Sequence, residues 1–374
     1  MSKIICSTYD KLGDVLKKYK VCVYAISKNE EKFVKRWYES MKEADKIIVL
    51  DTGSTDKTVD LLKECGVEVY EEAIMPWRFD VARNRSLNLV PEEYDICVCT
   101  DLDEVFEPGW KEKILSVWKD DTTRIRYTYN WSFDEYGSPA TTFLLNKIHL
   151  RNNYKWTHPV HEVLTSLNVE NETSCEDIVL NHYPDNSKSR SSYLPLLELS
   201  VKEDPEDDRN VHYLGREYMY YQRWDDCIRT LKKHLTLKSA TWKDERSASM
   251  RFIARSYYNL NEKELAKSWF LKSIQEAPHL REGYVELGAL LYGDEGYLEA
   301  YYYLRKALEI EEKSKSYINE QFAWNAYIYD LISMCAYKLE FYKEAYDYIR
   351  LAVSLDYNNE RLLTNLFIMR ASVN

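Results

Sequence analysis

Between residues 210 and 355 the chain repeats a helical pattern with small residues at fixed offsets. Aligning Gly215, Ala254 and Gly288 puts Tyr218, Tyr257 and Leu291 three residues later and Cys227, Ala266 and Ala300 twelve later, with Leu231, Phe270 and Leu304 four beyond those. A further copy sets Ala345, Ile349 and Ala352 against Ala300, Leu304 and Ala307. The steps are 39, 34 and 45 residues. A unit of this length is a helix pair that cannot bury its apolar face alone, so successive pairs must stack, and the small residues fall where paired helices touch. The pattern predicts an all-α C-terminal half in which LLTNLFIMRA is a capping helix; an irregular helical bundle is the alternative.

Upstream the period changes. From about residue 20 to 105 short apolar runs alternate with amphipathic ones: VCVYAIS, EEKFVKRWYESMKEA, KIIVLD, TDKTVDLLKECG and VEVYEE, then Asp95 to Thr100. Strand, helix, strand, helix, strand describes a parallel α/β unit. Ser54 or Thr55 in DTGSTDKT is expected to cap a helix that ends near Cys65-Gly66. Residues 110 to 182 mix a helix-like KEKILSVWK with strand-like RIRYTYNWSF, TTFLLNKIHLR and DIVLNHYP around the polar-aromatic YKWTHPVHE, and are expected to complete the sheet and cover its site. In open parallel sheets ligands bind beyond the C-terminal strand ends, where Ser27, Asp51 and Asp101 fall. The change of period predicts two domains, residues 1–190 and 191–374.

Charge and cysteine usage narrow the partners. With 51 Lys and Arg against 62 Asp and Glu, the net charge is −11. No basic block stands out, so a nucleic-acid backbone would meet net repulsion. Mean hydropathy is −0.54. No apolar run approaches the length of a membrane helix, and MSKIICSTYDK lacks the apolar stretch of a signal peptide, so a cytoplasmic chain without a membrane span is expected. Eight cysteines (Cys6, Cys22, Cys65, Cys97, Cys99, Cys175, Cys227 and Cys335) are scattered without a CxxC pair and read as reduced thiols.

Asp101-Leu102-Asp103 is the chemical signal. Two carboxylates one residue apart can hold a hard divalent cation while leaving positions open for diphosphate oxygens, which suits phosphoryl or glycosyl transfer. AISKNEE closes the first strand, IIVLDTGSTDKT the second, and WRFDVARNRSLN precedes TDLDE. These four ordered motifs, over about residues 20 to 185, resemble the family 2 glycosyltransferases of the GT-A fold, in the subgroup that carries a tetratricopeptide tail. The repeats then resemble about four degenerate tetratricopeptide repeats, whose period is roughly 34 residues. By architecture the chain is similar to the sublancin-type peptide glycosyltransferases.

The resemblance implies a Rossmann-like, mostly parallel GT-A domain followed by an all-α tetratricopeptide domain. It implies that Ala25, Ser27, Asn29 and Glu30 lie along a nucleotide, that Asp51 hydrogen-bonds its base, and that Asp80 and Arg83 approach the nucleotide or diphosphate. It implies that Asp101 and Leu102 line the donor, with Asp101 reaching ribose or metal, that Asp103 ligates Mn²⁺ or Mg²⁺, and that a late histidine, His182, completes the metal shell. Tyr136-Gly137-Ser138-Pro139 matches the family's Gly-containing loop. Glu162 is the expected general base, with Asp134 and Glu135 as competitors; His158 is expected to be structural, and His161 either orienting or core. The activity implied is metal-dependent transfer of a sugar from a nucleotide-sugar, UDP-Glc or UDP-GlcNAc foremost, to a peptide or protein, with inversion. Retaining transfer shares this fold and its Asp-x-Asp. A glycan or a modified DNA base as acceptor, and an inactive repeat scaffold, are the alternatives; a homodimer through the repeats is a further expectation.

Overall fold

The computed structural model describes residues 19–134, 136–185 and 193–373. Ten strands come first: β1 (Val21–Ser27), β2 (Lys46–Asp51), β3 (Glu68–Glu71), β4 (Ile96–Cys99), β5 (Glu104–Phe106), β6 (Arg124–Phe133), β7 (Pro139–Leu150), β8 (Tyr154–Thr157), β9 (Val163–Ser166) and β10 (Glu172–His182). Interleaved with them are α1 (Val34–Met41), α2 (Thr58–Glu64), α3 (Phe79–Asn88) and α4 (Trp110–Val117). Eight strands form one sheet in the order β3-β2-β1-β4-β7-β6-β10-β5, and β8 pairs with β9 alone. The β3-β2-β1-β4 half is parallel, β6 pairs with β10 in parallel, and β7 and β5 run antiparallel to their neighbours. β1 and β4 are near-continuous apolar runs because both faces are covered, which is what an interior parallel strand requires. Trp37 and Trp110, both fully buried, fill one face of the sheet.

The register gathers the functional stretch at one edge. Ser27 is level with Asp51, and Tyr24 with Cys99, so the chain leaves β1, β2 and β4 on the same side of the sheet. β10 runs back beside β5 and sets His182 opposite Glu104. A residue some eighty positions downstream is thereby delivered beside the Asp101–Glu104 turn.

One local expectation is corrected. The residue before α2 is Lys57, and the Thr58 amide donates to Asp56 Oδ1 at 3.0 Å, so neither Ser54 nor Thr55 caps the helix. Ser54 turns its hydroxyl to Asp51 instead. The helix does end as expected, at Cys65 followed by Gly66 in the left-handed region (φ 82°).

The rest is helical: α5 (Tyr193–Glu203), α6 (Asp208–Tyr220), α7 (Trp224–His234), α8 (Lys243–Asn259), α9 (Lys263–Glu276), α10 (Arg281–Gly293), α11 (Tyr297–Leu308), α12 (Ala326–Lys338), α13 (Tyr342–Leu355) and α14 (Glu360–Val373). α6 packs on α7, α8 on α9, α10 on α11 and α12 on α13, with α14 closing the last pair. The aligned small residues do what the repeat requires: Cys227, Ala266, Ala300 and Ala345 are fully buried. A Cβ at Gly215 would lie 2.3 Å from Leu231 Cδ2, and one at Gly288 2.7 Å from Leu304 Cγ, so the leucine of the second helix occupies the glycine's missing side chain in both pairs. Among the described residues no helix is long and apolar enough to cross a membrane. The seven described cysteines are free. Cys6, Glu135 and the expected boundary at 190/191 lie outside the described residues.

The two regions share a core. Trp77, Phe79 and Val160 pack with Leu197, Tyr213 and Phe252. Arg78 spans the seam, gripping Asp80 with two hydrogen bonds of 3.0 and 2.9 Å and Glu203 with two more.

Candidate active site

The centre of the strand-end cluster is Arg83, presented by α3 and only 3% exposed. Its Nε donates to Glu162 Oε1 at 2.8 Å, its Nη2 to Asp101 Oδ1 at 2.7 Å, and its Nη1 to Cys99 Sγ at 3.4 Å, while the guanidinium lies over the Trp156 ring. The planar fork of an arginine suits this triple task, which a lysine could not repeat. Asn84, next on the helix, exchanges two hydrogen bonds with the Trp156 backbone and so locks β8, and the following Glu162, onto α3.

Asp101 has a second cation. Lys147, from β7, places Nζ 3.7 Å from Asp101 Oδ2 and 3.9 Å from Glu104 Oε1. Burial opposes the charge on Asp101, but Arg83 and Lys147 outweigh it and hold its carboxyl well below the usual carboxylate range. Burial likewise works against the Lys147 ammonium, and Glu104 and Asp101 more than restore it. Glu104 closes the turn by accepting the Asp101 amide at 2.8 Å and the Tyr129 hydroxyl at 2.8 Å, and burial pushes its carboxyl up.

Asp103 faces the other way. Its Oδ2 is 3.4 Å from His182 Nε2, and that ring stacks on Trp131 with its Nδ1 2.9 Å from the Trp131 carbonyl oxygen. A carbonyl only accepts, so Nδ1 carries the hydrogen, and in the neutral ring the Nε2 lone pair points at a carboxylate. Two acceptors this close need a cation between them, either a proton or a metal. Burial disfavours the imidazolium, but Asp103 raises the His182 pKa. The donor set, one carboxylate and one imidazole at the strand ends, fits a divalent ion such as Mn²⁺. Among the described residues Asp101, Asp103 and His182 do not converge as three ligand atoms, because Asp101 is drawn to Arg83 and Lys147.

The expected nucleotide positions separate into two groups. Ser27 Oγ donates to Asp51 Oδ2 at 2.8 Å, Ser54 Oγ donates to the same oxygen, and the amides of Gly53 and Ser54 reach Oδ1 at 3.0 and 2.8 Å. Asp51, 2% exposed, thus has its acceptor positions filled by its own loop and by Ser27 of β1, and a base could bond to it only if a hydroxyl turned away. Asn29, in the left-handed region, accepts the Thr55 amide and donates its own amide to Ser54, and the Glu30 amide donates to Thr58, so the two loops are stitched into one wall. Ala25 offers its carbonyl to Ser86, and the Leu102 side chain is core. Asp80 is not brought to the cluster; Arg78 holds it at the seam.

Of the residues weighed as base, Glu162 lies on Arg83, whereas Asp134 is tied to its own turn by the amides of Tyr136 and Ser138 at 2.9 and 2.8 Å. His158 bonds Asn210, and His161 stacks on Tyr213 with ring centres 4.3 Å apart; both therefore face the helical region. Sequence reasoning missed Lys147, Glu104, Tyr129 and Trp131. The one signal for Lys147 was a lone cation inside the apolar strand TTFLLNKIHLR.

Residues 22–171 match the family model described as Glycosyl transferase family 2. The chain is 27% identical over 225 residues to the SPbeta prophage-derived glycosyltransferase SunS of Bacillus subtilis (strain 168), an alignment covering 55% of this chain and 51% of the relative. It matches the glycosyltransferase SunS of Bacillus phage SPbeta to the same extent. The chain spans about half the length of these curated relatives. The helical region is similar to the crystal structure of YrrB, a TPR protein, at 16% identity and a TM-score of 0.38, over 47% of this chain and 82% of that one. With the parallel sheet, the strand-end carboxylates and the matched model in agreement, residues 22–171 form a glycosyl transferase family 2 domain.

Proposed function

We propose that this chain is a metal-dependent glycosyltransferase that moves a sugar from a nucleotide-sugar, UDP-Glc or UDP-GlcNAc foremost, to a peptide or protein. The observation that carries the reading is the pair of opposed acceptors, Asp103 Oδ2 and His182 Nε2, beside a carboxylate flanked by the buried Arg83 and the partly buried Lys147. Asp103 and His182 would hold Mn²⁺ or Mg²⁺, which when bound would supply positive charge for a departing nucleoside diphosphate. Arg83 and Lys147 add fixed positive charge on the same side and need no reorganisation during the reaction. The nucleotide lies along Ala25, Ser27, Asn29 and Glu30, and its base reaches Asp51 when the Ser54 hydroxyl turns aside.

Glu162, steered by Arg83, takes the proton from the acceptor as it attacks the anomeric carbon, and a single displacement inverts that centre. The catalytic unit comprises residues 1–190 and the repeat unit 191–374. Exposed Tyr220, Tyr258 and Tyr327 around a depression of about 590 Å³ support a peptide acceptor held by the repeats; pairing of two copies is the other use of such a face. The free thiols support a reducing, cytoplasmic setting.

The test is donor hydrolysis across UDP- and GDP-sugars with Mn²⁺ or Mg²⁺. Release of nucleotide that needs metal and disappears in Asp103→Ala is expected. Absence of both release and calorimetric UDP binding would leave the chain as a scaffold. Glu162→Gln is expected to lose turnover and keep nucleotide binding; full activity in that variant removes Glu162 as the base.

A further inference from the structure

The helical unit buries a second cluster of metal-ligating groups, remote in sequence from the strand-end site. His212 on α6 and His234 at the end of α7 are fully buried, and Glu245 on α8 is 4% exposed. One ligand atom from each lies within 4.8 Å of the others. Ser249, one turn beyond Glu245, sits between the rings with Oγ 2.7 Å from His212 Nδ1 and 3.0 Å from His234 Nδ1. The opposite pole of each ring, Nε2, is buried without a hydrogen-bond partner. His234 Nε2 comes within 3.4 Å of Glu245 Oε1, but not in hydrogen-bonding geometry.

This protonation pattern does not close by itself. A hydroxyl has one hydrogen, so Ser249 can donate to only one of the two rings. With both rings neutral and Ser249 donating to one, that ring carries its hydrogen on Nε2, where no acceptor is aligned. Buried polar groups almost always find partners, and two orphaned imidazole nitrogens in one cluster need a cause.

We propose that His212, His234 and Glu245 bind a zinc ion inside the repeat unit. Two imidazoles and a carboxylate are a zinc donor set, whereas Mg²⁺ and Ca²⁺ take oxygen ligands. Ligation through the Nε2 atoms leaves both Nδ1–H groups to donate to the two lone pairs of Ser249 Oγ, and the serine hydrogen is free to bond back along its own helix. Ser249 is then the outer partner that orients both ligands. The second Glu245 oxygen accepts the Tyr317 hydroxyl, and Tyr317 packs beside Tyr213, which stacks on His161. The ion ties α6, α7 and α8 together behind the Tyr317, Tyr213 and His161 rings.

The test is metal analysis of the untagged full-length chain, loaded with ZnCl₂ and desalted, together with the visible spectrum of the Co²⁺-loaded protein. About one zinc per chain is expected in the wild type. Asp103→Ala, which disables the strand-end site, is expected to keep it. His212→Gln with His234→Gln is expected to lose it, and Ser249→Ala to weaken zinc affinity about 10–100-fold. Because the double variant could fail to fold, the wild-type stoichiometry and the Co²⁺ spectrum stand by themselves. A folded wild type that retains no zinc, or a zinc lost in Asp103→Ala, overturns the proposal.

Discussion

Arg83 holds two carboxylates, Asp101 and Glu162, in fixed positions 18 and 79 residues away along the chain. Arg83→Lys keeps a charge but loses the fork, so kcat/KM is expected to fall about 100-fold, or about 2.7 kcal/mol of transition-state stabilisation. Arg83→Ala leaves Glu162 without its cation while Asp101 keeps Lys147, and should cost about 1–3 kcal/mol in urea unfolding; wild-type stability in that variant would show the pair to be idle. A second residue sets acid sensitivity. His149 is fully buried in a chain of donors: Trp156 Nε1–H to the Tyr24 hydroxyl, that hydroxyl to His149 Nε2, and His149 Nδ1–H to the Leu150 carbonyl. Only a neutral ring completes it, and burial pushes the His149 pKa from 6.5 down to about 3 although the Leu150 carbonyl resists. The unfolded chain therefore binds the proton first as pH falls. Stability attributable to His149 is full above 6.5 and declines by about 1.4 kcal/mol per pH unit below it, until about 3. Urea unfolding between pH 7 and 5 should show a shallower decline for His149→Gln; equal declines would clear His149. At this scale Asp101, Asp103 and His182 were legible as types in order, but the partner each one takes was not.

The helix pairs work by close approach at two glycines. Gly215→Ala drives a Cβ to 2.3 Å from Leu231 Cδ2 and 2.4 Å from Cγ, in a leucine that is itself fully buried. Overpacking of this kind costs about 1–3 kcal/mol, more than the roughly 1 kcal/mol that alanine gains over glycine in a helix. Gly293, in the last turn of α10, has nothing within 4 Å of its Cβ direction. Thermal melts should then show Gly215→Ala lowered and Gly293→Ala unchanged or raised, and the same sign for both would contradict the packing role. The repeat was readable because its offsets are local and identical from copy to copy. The start of α2 was not, because Asp51 competes for the Ser54 hydroxyl from the end of a neighbouring strand.

Across the molecule, the sheet domain and the helices are bonded through apolar surface more than through charge. Arg78–Glu203 is partly exposed and worth about 1 kcal/mol or less, whereas Trp77, Phe79 and Val160 lie in the same cluster as Leu197 and Tyr213. Calorimetry on the full chain is expected to show one cooperative transition, and the fragment 1–190 to melt lower and bind a hydrophobic dye at the uncovered seam. A fragment that melts where the full chain does would mean that the seam adds nothing.

The sequence by itself determined the two kinds of architecture and the residue types at the strand ends, since hydrophobic period and motif order are local properties of the chain. Only the tertiary structure decided which carboxylate meets which cation. Long-range pairing of β10 with β5 delivers His182 to Asp103, β7 carries Lys147 to Asp101, and Arg78 takes Asp80 away to the seam. Such pairings depend on register between strands and helices far apart in the chain, and register leaves no mark in the spacing of neighbouring residues.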